Sequence, residues 1–170
     1  IEEFNKKIKD CSICPCSNLE FNRDDISKGF GKLFGYYQKS PENKIMLVGM
    51  NPSYRRFPGL YQAFGGTVPH EGIGFHFFKL LETLNLLDKV YVTNLMKCST
   101  LNNVQSTDDY NKCLDLFKEE LNIVNPTKIV CLGNAVYIVI SDNFPQLKEK
   151  TVKIYHPSYW LNYHEISDAD

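Results

Sequence analysis

Four short apolar runs, separated by segments with helical spacing, constrain the fold of this chain more than any other feature. The runs are KIMLVG, VYVT, KIVCLG and TVKIY, at residues 44–49, 90–93, 128–133 and 151–155. An apolar run that stops at a glycine, as the first does, is typical of a strand buried on both faces. Because such strands alternate with helices, we predict an α/β fold: three α/β/α layers around a four-stranded, mainly parallel central sheet.

Helices are predicted for the segments between and before these strands. Residues 1–10 predict a short N-terminal helix, Phe75–Leu87 has apolar residues at helical spacing, and another helix begins near Asn134. An acidic pair opens a further helix over Asp108–Val124. Its apolar stripe consists of Leu114, Phe117, Leu121 and Val124. A chain of 170 residues suits one domain, so we expect a single domain over residues 1–170.

Composition excludes several classes of protein. Apolar residues make up 43% of the chain, which predicts a globular core, and no apolar run is long enough to cross a bilayer. The polar, charged N-terminus does not resemble a secretory signal, so we expect an intracellular, cytoplasmic protein. The net charge of −1 argues against a strongly basic nucleic-acid binder, but a protein that scans DNA needs only a local positive rim.

Six cysteines are a high count for a chain of this length. Without an export signal, metal or cluster ligation or plain burial is a better explanation than a disulfide framework. Cys11 and Cys14 have the spacing of a ligand pair, and thiolates suit zinc or an iron–sulfur cluster equally well. Cys16 either replaces Cys14 as a ligand or takes no part, and Cys131 lies in an apolar strand, where packing is the better explanation.

Polar residues follow the predicted strands at the positions where α/β proteins carry their sites. Asn51 follows the first strand, Asn94 the second and His156 the fourth. Because functional loops in parallel sheets lie at the carboxyl ends of the strands, these residues are candidates for chemistry.

Four segments resemble, in order, the uracil-DNA glycosylase superfamily, and most closely its iron–sulfur branch, family 4. They are KIMLVGMNPS, VYVTNLMKCS, CLDLFKEELNIVNPTKIVCLGNAV and YHPSYWL. The resemblance implies an enzyme of base-excision repair that hydrolyses uracil from single- or double-stranded DNA as a monomer. It also implies that Cys11, Cys14, Cys98 and Cys113 hold a [4Fe–4S] cluster with a structural role, zinc being the alternative. No lysine is placed for Schiff-base chemistry, so we expect a monofunctional enzyme that leaves an abasic site.

The same resemblance implies roles around a base flipped out of the stack. Phe64 would stack on uracil and the Asn94 amide would recognise its edge. Asn51 would hold the attacking water, while backbone N–H groups of Met50 and Asn51 assist. His156 would donate a hydrogen bond to O2 of the departing base. Each residue also has an ordinary alternative: a core aromatic, an asparagine in a turn, or a loop histidine bonded to backbone.

Contacts to DNA are implied for the loops around these residues. Pro52, Ser53, Pro157 and Ser158 would contact the DNA backbone, and Arg55 and Arg56 would add positive charge near phosphates. Tyr159 and Trp160 stand where the family inserts a side chain into the base stack, although Trp160 packed under the loop is an equal alternative.

The first loop departs from the iron–sulfur branch. It is GMNPS, with asparagine where that branch has alanine. Asparagine at this position is similar to the mismatch-specific and single-strand-selective branches, where it positions water. The departure leaves an alternative function, a non-catalytic or altered-specificity DNA-binding member of the superfamily.

Overall fold

Strands and helices alternate in the structure, a computed structural model that describes residues 2–11, 36–37, 45–51, 73–86, 89–97, 107–157 and 159. The described elements are, in order, α1 (Glu2–Asp10), β1 (Tyr36–Tyr37), β2 (Ile45–Gly49), α2 (Ile73–Thr83), β3 (Val90–Asn94), α3 (Thr107–Val124), β4 (Lys128–Leu132), α4 (Asn134–Asn143), a 3₁₀ helix (Pro145–Lys150) and β5 (Thr151–Ile154). The four predicted strands and four predicted helices are present, with boundaries shifted by a few residues.

The strands form one sheet in the order β1-β3-β2-β4-β5. The four longer strands, β2 to β5, are parallel, and Gly49 lies opposite Asn94 in the register of β2 and β3. This confirms the predicted α/β fold with its four parallel strands. The two-residue strand β1 pairs antiparallel with β3 and was not predicted, because two tyrosines in a polar stretch carry no strand pattern.

Alternate residues of each strand point to opposite faces of the sheet. Both faces therefore present apolar side chains, and helices cover both. On one face Met46, Val48 and Tyr91 pack with Phe117 of α3 and Ile140 of α4. On the other face Leu47, Val90 and Val92 pack with Phe77 and Leu81 of α2. The strands β2, β3 and β4 are therefore apolar almost without interruption and appear as continuous runs in the sequence, whereas β5, at the edge of the sheet, exposes three of its four residues.

Helix α1 packs on the middle of α3 through a small apolar cluster. Phe4 and Ile8 of α1 are buried against Leu116, and Cys11, at the end of α1, is partly buried in the same cluster. An exposed ion pair between Lys7 of α1 and Glu119 of α3 also links the two helices.

Asparagines in left-handed conformation end two of the helices. Asn85 has φ 52° after α2, and Leu86 N–H donates to Leu81 O over 2.8 Å, as in a Schellman motif. Asn125 has φ 45° after α3 and precedes Pro126. The described helices include none with the length and apolar content that a membrane span requires.

Candidate active site

The three candidate residues at strand ends lie at one edge of the sheet. Asn94 is the last residue of β3, Asn51 comes two residues after β2, and His156 comes two residues after β5. Since β2 to β5 are parallel, these ends share one edge, in the order β3, β2, β4, β5. Strands are about 4.8 Å apart, so three intervals put roughly 14 Å between the ends of β3 and β5, measured across the sheet. A flat ring and its flanking side chains fit in that width.

Asn94 is fully buried, and the chain after it stays paired with the chain leaving β2. Leu95 N–H donates to Gly49 O over 3.0 Å, and Met96 N–H donates to Met50 O over 2.9 Å. These bonds hold Asn94 beside Met50 and the half-buried Asn51. Its side-chain oxygen Oδ1 is buried and accepts no hydrogen bond from the described residues, while the residue makes other interactions.

His156 is half-buried beside the exit of β4. Gly133 N–H donates to Ile154 O over 2.9 Å, and a methyl group added at Gly133 would lie 3.5 Å from His156 Cβ. Removal from water lowers the pKa of His156 below its ordinary value of 6.5, because burial penalises the charged imidazolium. The histidine is therefore neutral at pH 7 and has one N–H to donate.

Two tyrosines flank His156 in the sequence and stack on each other at the surface. The rings of Tyr155 and Tyr159 have centroids 4.8 Å apart and planes 17° apart. Both side chains are exposed, Tyr155 by 64% and Tyr159 by 39%, whereas Pro157 between them is buried. An exposed aromatic surface thus borders the histidine end of the site.

A buried polar cluster behind Asn94 was missed in the sequence. The Lys97 ammonium donates to Glu120 Oε2 over 2.6 Å, to Thr93 Oγ1 over 2.8 Å and to Asn94 O over 2.6 Å. The hydroxyls of Tyr91 and Thr93 donate to Glu120 Oε1, each over 2.8 Å. Lys97 is 1% exposed and Glu120 is fully buried, so every strong donor and acceptor of the pair is used inside the protein.

Two signals in the sequence point to this cluster. Glu120 follows Phe117 by three residues and therefore falls on the apolar stripe of α3, where a charge requires a buried partner. Lys97 stands in the otherwise apolar segment after β3. Burial and the neighbouring Glu120 carboxylate raise the pKa of Tyr91 above its usual range, so its phenol stays protonated and can donate.

The predicted metal ligands are only partly within the described residues. Cys113 is buried on α3, one turn before Leu116, and Cys11 contacts the cluster that includes Leu116. The packing of α1 on α3 therefore brings the segments of these two cysteines together, whereas Cys14, Cys16 and Cys98 lie outside the described residues. In the described ranges alone, no three histidine, cysteine or carboxylate side chains form a metal-binding group.

Cys131 is fully buried in β4, and burial raises the pKa of its thiol to about 12. It packs in the core with Val48 and Ile129, as its place in an apolar strand predicts. A protonated, inaccessible thiol is a poor metal ligand.

Several other predicted site residues also lie outside the described residues. These are Pro52, Ser53, Arg55, Arg56, Phe64, Ser158 and Trp160. Their roles in stacking and DNA contact stay predictions.

Comparison of the sequence with known proteins finds a matching family and a similar protein. A family model described as the uracil DNA glycosylase superfamily matches residues 34–169. The Type-4 uracil-DNA glycosylase of Archaeoglobus fulgidus is 30% identical over 78 residues, which are 43% of this chain. The match spans 39% of that relative's length.

Proposed function

Because the chain belongs to the uracil DNA glycosylase superfamily, we propose that it is a monofunctional DNA glycosylase that hydrolyses the N-glycosidic bond of uracil in DNA. It would act in base-excision repair as a single-domain monomer and leave an abasic site. The observation that carries the proposal is the shared edge of the sheet, where a buried amide, a second amide and a neutral imidazole occupy strand ends. The name of the Archaeoglobus relative supports uracil as the base.

Base recognition is assigned to Asn94. A stacked base is inaccessible, so uracil would be flipped into the space between the ends of β3 and β5. The amide of Asn94 can donate to uracil O4 and accept from N3–H. Cytosine presents an amino group and an unprotonated N3 there, and a fixed amide would be left with mismatched donors and acceptors. Phe64 is the proposed stacking partner of the flipped ring.

Asn51 is assigned to water positioning. A carboxamide is too weak a base to deprotonate water, but it can hold the oxygen next to C1′ of the sugar. The glycosidic bond breaks with its electron pair moving onto N1 of the base, and the water oxygen bonds to C1′ as the sugar develops oxocarbenium character. The water proton is released to the departing base or to solvent. Placement of the nucleophile therefore contributes more than its basicity.

His156 is assigned to the leaving group. As charge moves onto the base, O2 becomes an anionic acceptor, and a neutral imidazole N–H directed at it stabilises the transition state. Removing one such donor commonly costs about 3 kcal/mol of barrier height. The lowered pKa of His156 supports this assignment, because a neutral imidazole donates its N–H without requiring a proton from solvent. The backbone N–H groups of Met50 and Asn51 are proposed to assist.

Four cysteines are proposed to hold a [4Fe–4S] cluster: Cys11, Cys14, Cys98 and Cys113. Cys11 packs against the cluster that includes Leu116, one turn after Cys113 on α3, which fits this set, and thiolates are the usual ligands of such clusters. The cluster would tie the N-terminal segment to the loop after β3 and to α3. Zinc is the alternative occupant, since it also takes four thiolates.

The loops at the site edge are proposed to hold the DNA strand. Tyr159, stacked on Tyr155 and exposed, offers an aromatic face next to His156, and Trp160 follows it in the sequence. Pro52, Ser53 and Ser158 are proposed to contact the DNA backbone, and Arg55 and Arg56 its phosphates. Pro157 is buried, so the contact to DNA that the sequence predicted for it is not part of the proposal.

Incubation with an oligonucleotide containing one uracil, followed by alkali, tests the function. We expect strand cleavage at the uracil after alkali and none without it, because a monofunctional enzyme leaves the abasic strand intact. Single-stranded and duplex substrates, and matched strands with cytosine or thymine, define the specificity. Binding without any base release would instead support a non-catalytic DNA-binding protein.

A further inference from the structure

The ion pair between Lys97 and Glu120 lies directly behind Asn94, at the carboxyl end of β3. We propose that this pair is a positioning unit for base recognition, which fixes the backbone from which the Asn94 side chain leaves β3. The proposal rests on the glycosylase function proposed above and adds Lys97 and Glu120 to the residues that the reaction requires.

The peptide group between Asn94 and Leu95 is held from two sides. Its carbonyl accepts from the Lys97 ammonium over 2.6 Å, and its N–H donates to Gly49 O over 3.0 Å. Rotating this peptide would break both bonds. The backbone angle ψ of Asn94 is therefore fixed. The direction in which its side chain leaves β3 is fixed as well.

Lys97 is itself held in place by two other acceptors. Its ammonium has three N–H groups, and the two not used by Asn94 O donate to Glu120 Oε2 and Thr93 Oγ1. Glu120 is fixed in turn by hydroxyls of Tyr91 and Thr93 on β3. Each member has one arrangement that satisfies all partners, so the cluster behaves as a rigid support from α3 to the end of β3.

Stability alone does not explain a buried pair at this place. Desolvating two charges is costly, and apolar residues of similar volume often give an equal or more stable core. A need to fix the backbone of Asn94 explains why the pair lies behind this residue and why one lysine N–H donates to its carbonyl.

A double-mutant cycle tests the proposal. Lys97→Met leaves Glu120 buried without its cation and can prevent folding, so the main variant is Lys97→Met/Glu120→Gln, which removes both charges. Under single-turnover conditions, corrected for folded fraction, we expect uracil excision to fall by about tenfold or more. In an Asn94→Ala background the same double substitution should change the rate by less than about threefold, because the group it positions is gone.

Hydrogen exchange provides a readout that does not depend on catalysis. In Lys97→Met/Glu120→Gln we expect faster exchange of the Leu95 and Met96 amides than in wild type, with little change in β4. The matched control is Lys7→Met/Glu119→Gln, which removes an exposed lysine–glutamate pair from the same helix α3. Such a pair contributes little, so the control should match wild type in rate and exchange.

The outcomes separate this proposal from the function on which it rests. The positioning role is wrong if the double substitution slows excision by the same factor with Asn94 present and with Asn94→Ala. It is also wrong if exchange at Leu95 and Met96 is unchanged. A wild-type protein that releases no uracil would refute the glycosylase function, and the exchange data would still decide whether the pair fixes Asn94.

Discussion

Gly133 and His156 lie against each other at the exits of two neighbouring parallel strands, β4 and β5. Gly133 has φ 100° and ψ 162°, and a methyl group built on it would be 3.5 Å from His156 Cβ. This backbone region is essentially restricted to glycine. The chain thus turns from β4 into α4 within one residue and passes close to the histidine, which is buried enough to lose part of its contact with water.

Gly133→Ala tests the importance of this turn. The substitution forces a side chain onto a backbone conformation that L-residues avoid, so we expect a loss of about 1–3 kcal/mol in the free energy of unfolding. Relief of the strain would shift the turn against His156, so uracil excision should fall as well. Urea unfolding and single-turnover kinetics measure the two effects. Asn134→Ala, one residue later, is the control: it removes an exposed hydrogen bond from Lys153 and should cost no more than about 1 kcal/mol.

The lowered pKa of His156 predicts how stability depends on pH. The unfolded histidine takes up a proton near its ordinary pKa of 6.5, whereas the folded one does so only at lower pH. Acidification from 6.5 towards the folded pKa therefore favours the unfolded state, and the stability from the neutral buried histidine is lost over that window. Urea titrations of wild type and His156→Gln measure this, and the wild type should lose more stability in the window. Parallel curves would contradict it.

The pH dependence of uracil excision should also be set by His156. A neutral imidazole is the proposed donor to uracil O2, and burial keeps it neutral down to below pH 6.5. Protonation leaves the N–H in place but charges a half-buried ring, and we expect the charged ring to move towards water and away from O2. We expect the acid limb of kcat/KM to have an apparent pKa below 6.5 and to vanish in His156→Gln, which retains an N–H donor but cannot titrate. The pH profile of single-turnover excision provides the measurement, and an acid limb that persists in the variant would assign it to another group.

Asn51→Ala addresses the positioning of water. The substitution removes the group that would hold the nucleophile but leaves base recognition by Asn94 in place. We expect kcat to fall by at least about tenfold with little change in KM, since the lost interaction acts on the reacting water. Rates of wild type and variant over a range of uracil oligonucleotide concentrations measure both constants, and a panel of other damaged bases extends the comparison. Equal rates would remove Asn51 from the mechanism.

Cysteine substitutions test the proposed cluster. Cys113→Ala should lose iron and the broad visible absorption of an iron–sulfur protein, because it removes a proposed ligand. Cys131→Ala is the matched control: this thiol is also buried, but its pKa of about 12 and its apolar strand indicate packing, so iron should be retained. Zinc in place of iron, or full iron content in Cys113→Ala, would contradict the assignment.

The sequence alone determined the layers of the fold and the edge of the sheet at which the candidate residues lie. Strands buried on both faces must be apolar throughout, and helices that cover them must repeat at 3.6 residues, so both patterns were visible without coordinates. The same patterns put Asn51, Asn94 and His156 after parallel strands. Chain order cannot say which strands are neighbours, and the position of β2 between β3 and β4 emerged only from the sheet.

Tertiary structure decided the environment of each candidate residue. The pairing of Lys97 with Glu120 joins residues that are 23 positions apart and depends on how α3 packs against β3. The contact of Gly133 with His156, and the lowered pKa that follows from burial of the histidine, likewise require two strand ends to be neighbours. Burial, charge pairing and pKa are properties of surroundings brought together by packing, so local sequence patterns do not encode them directly.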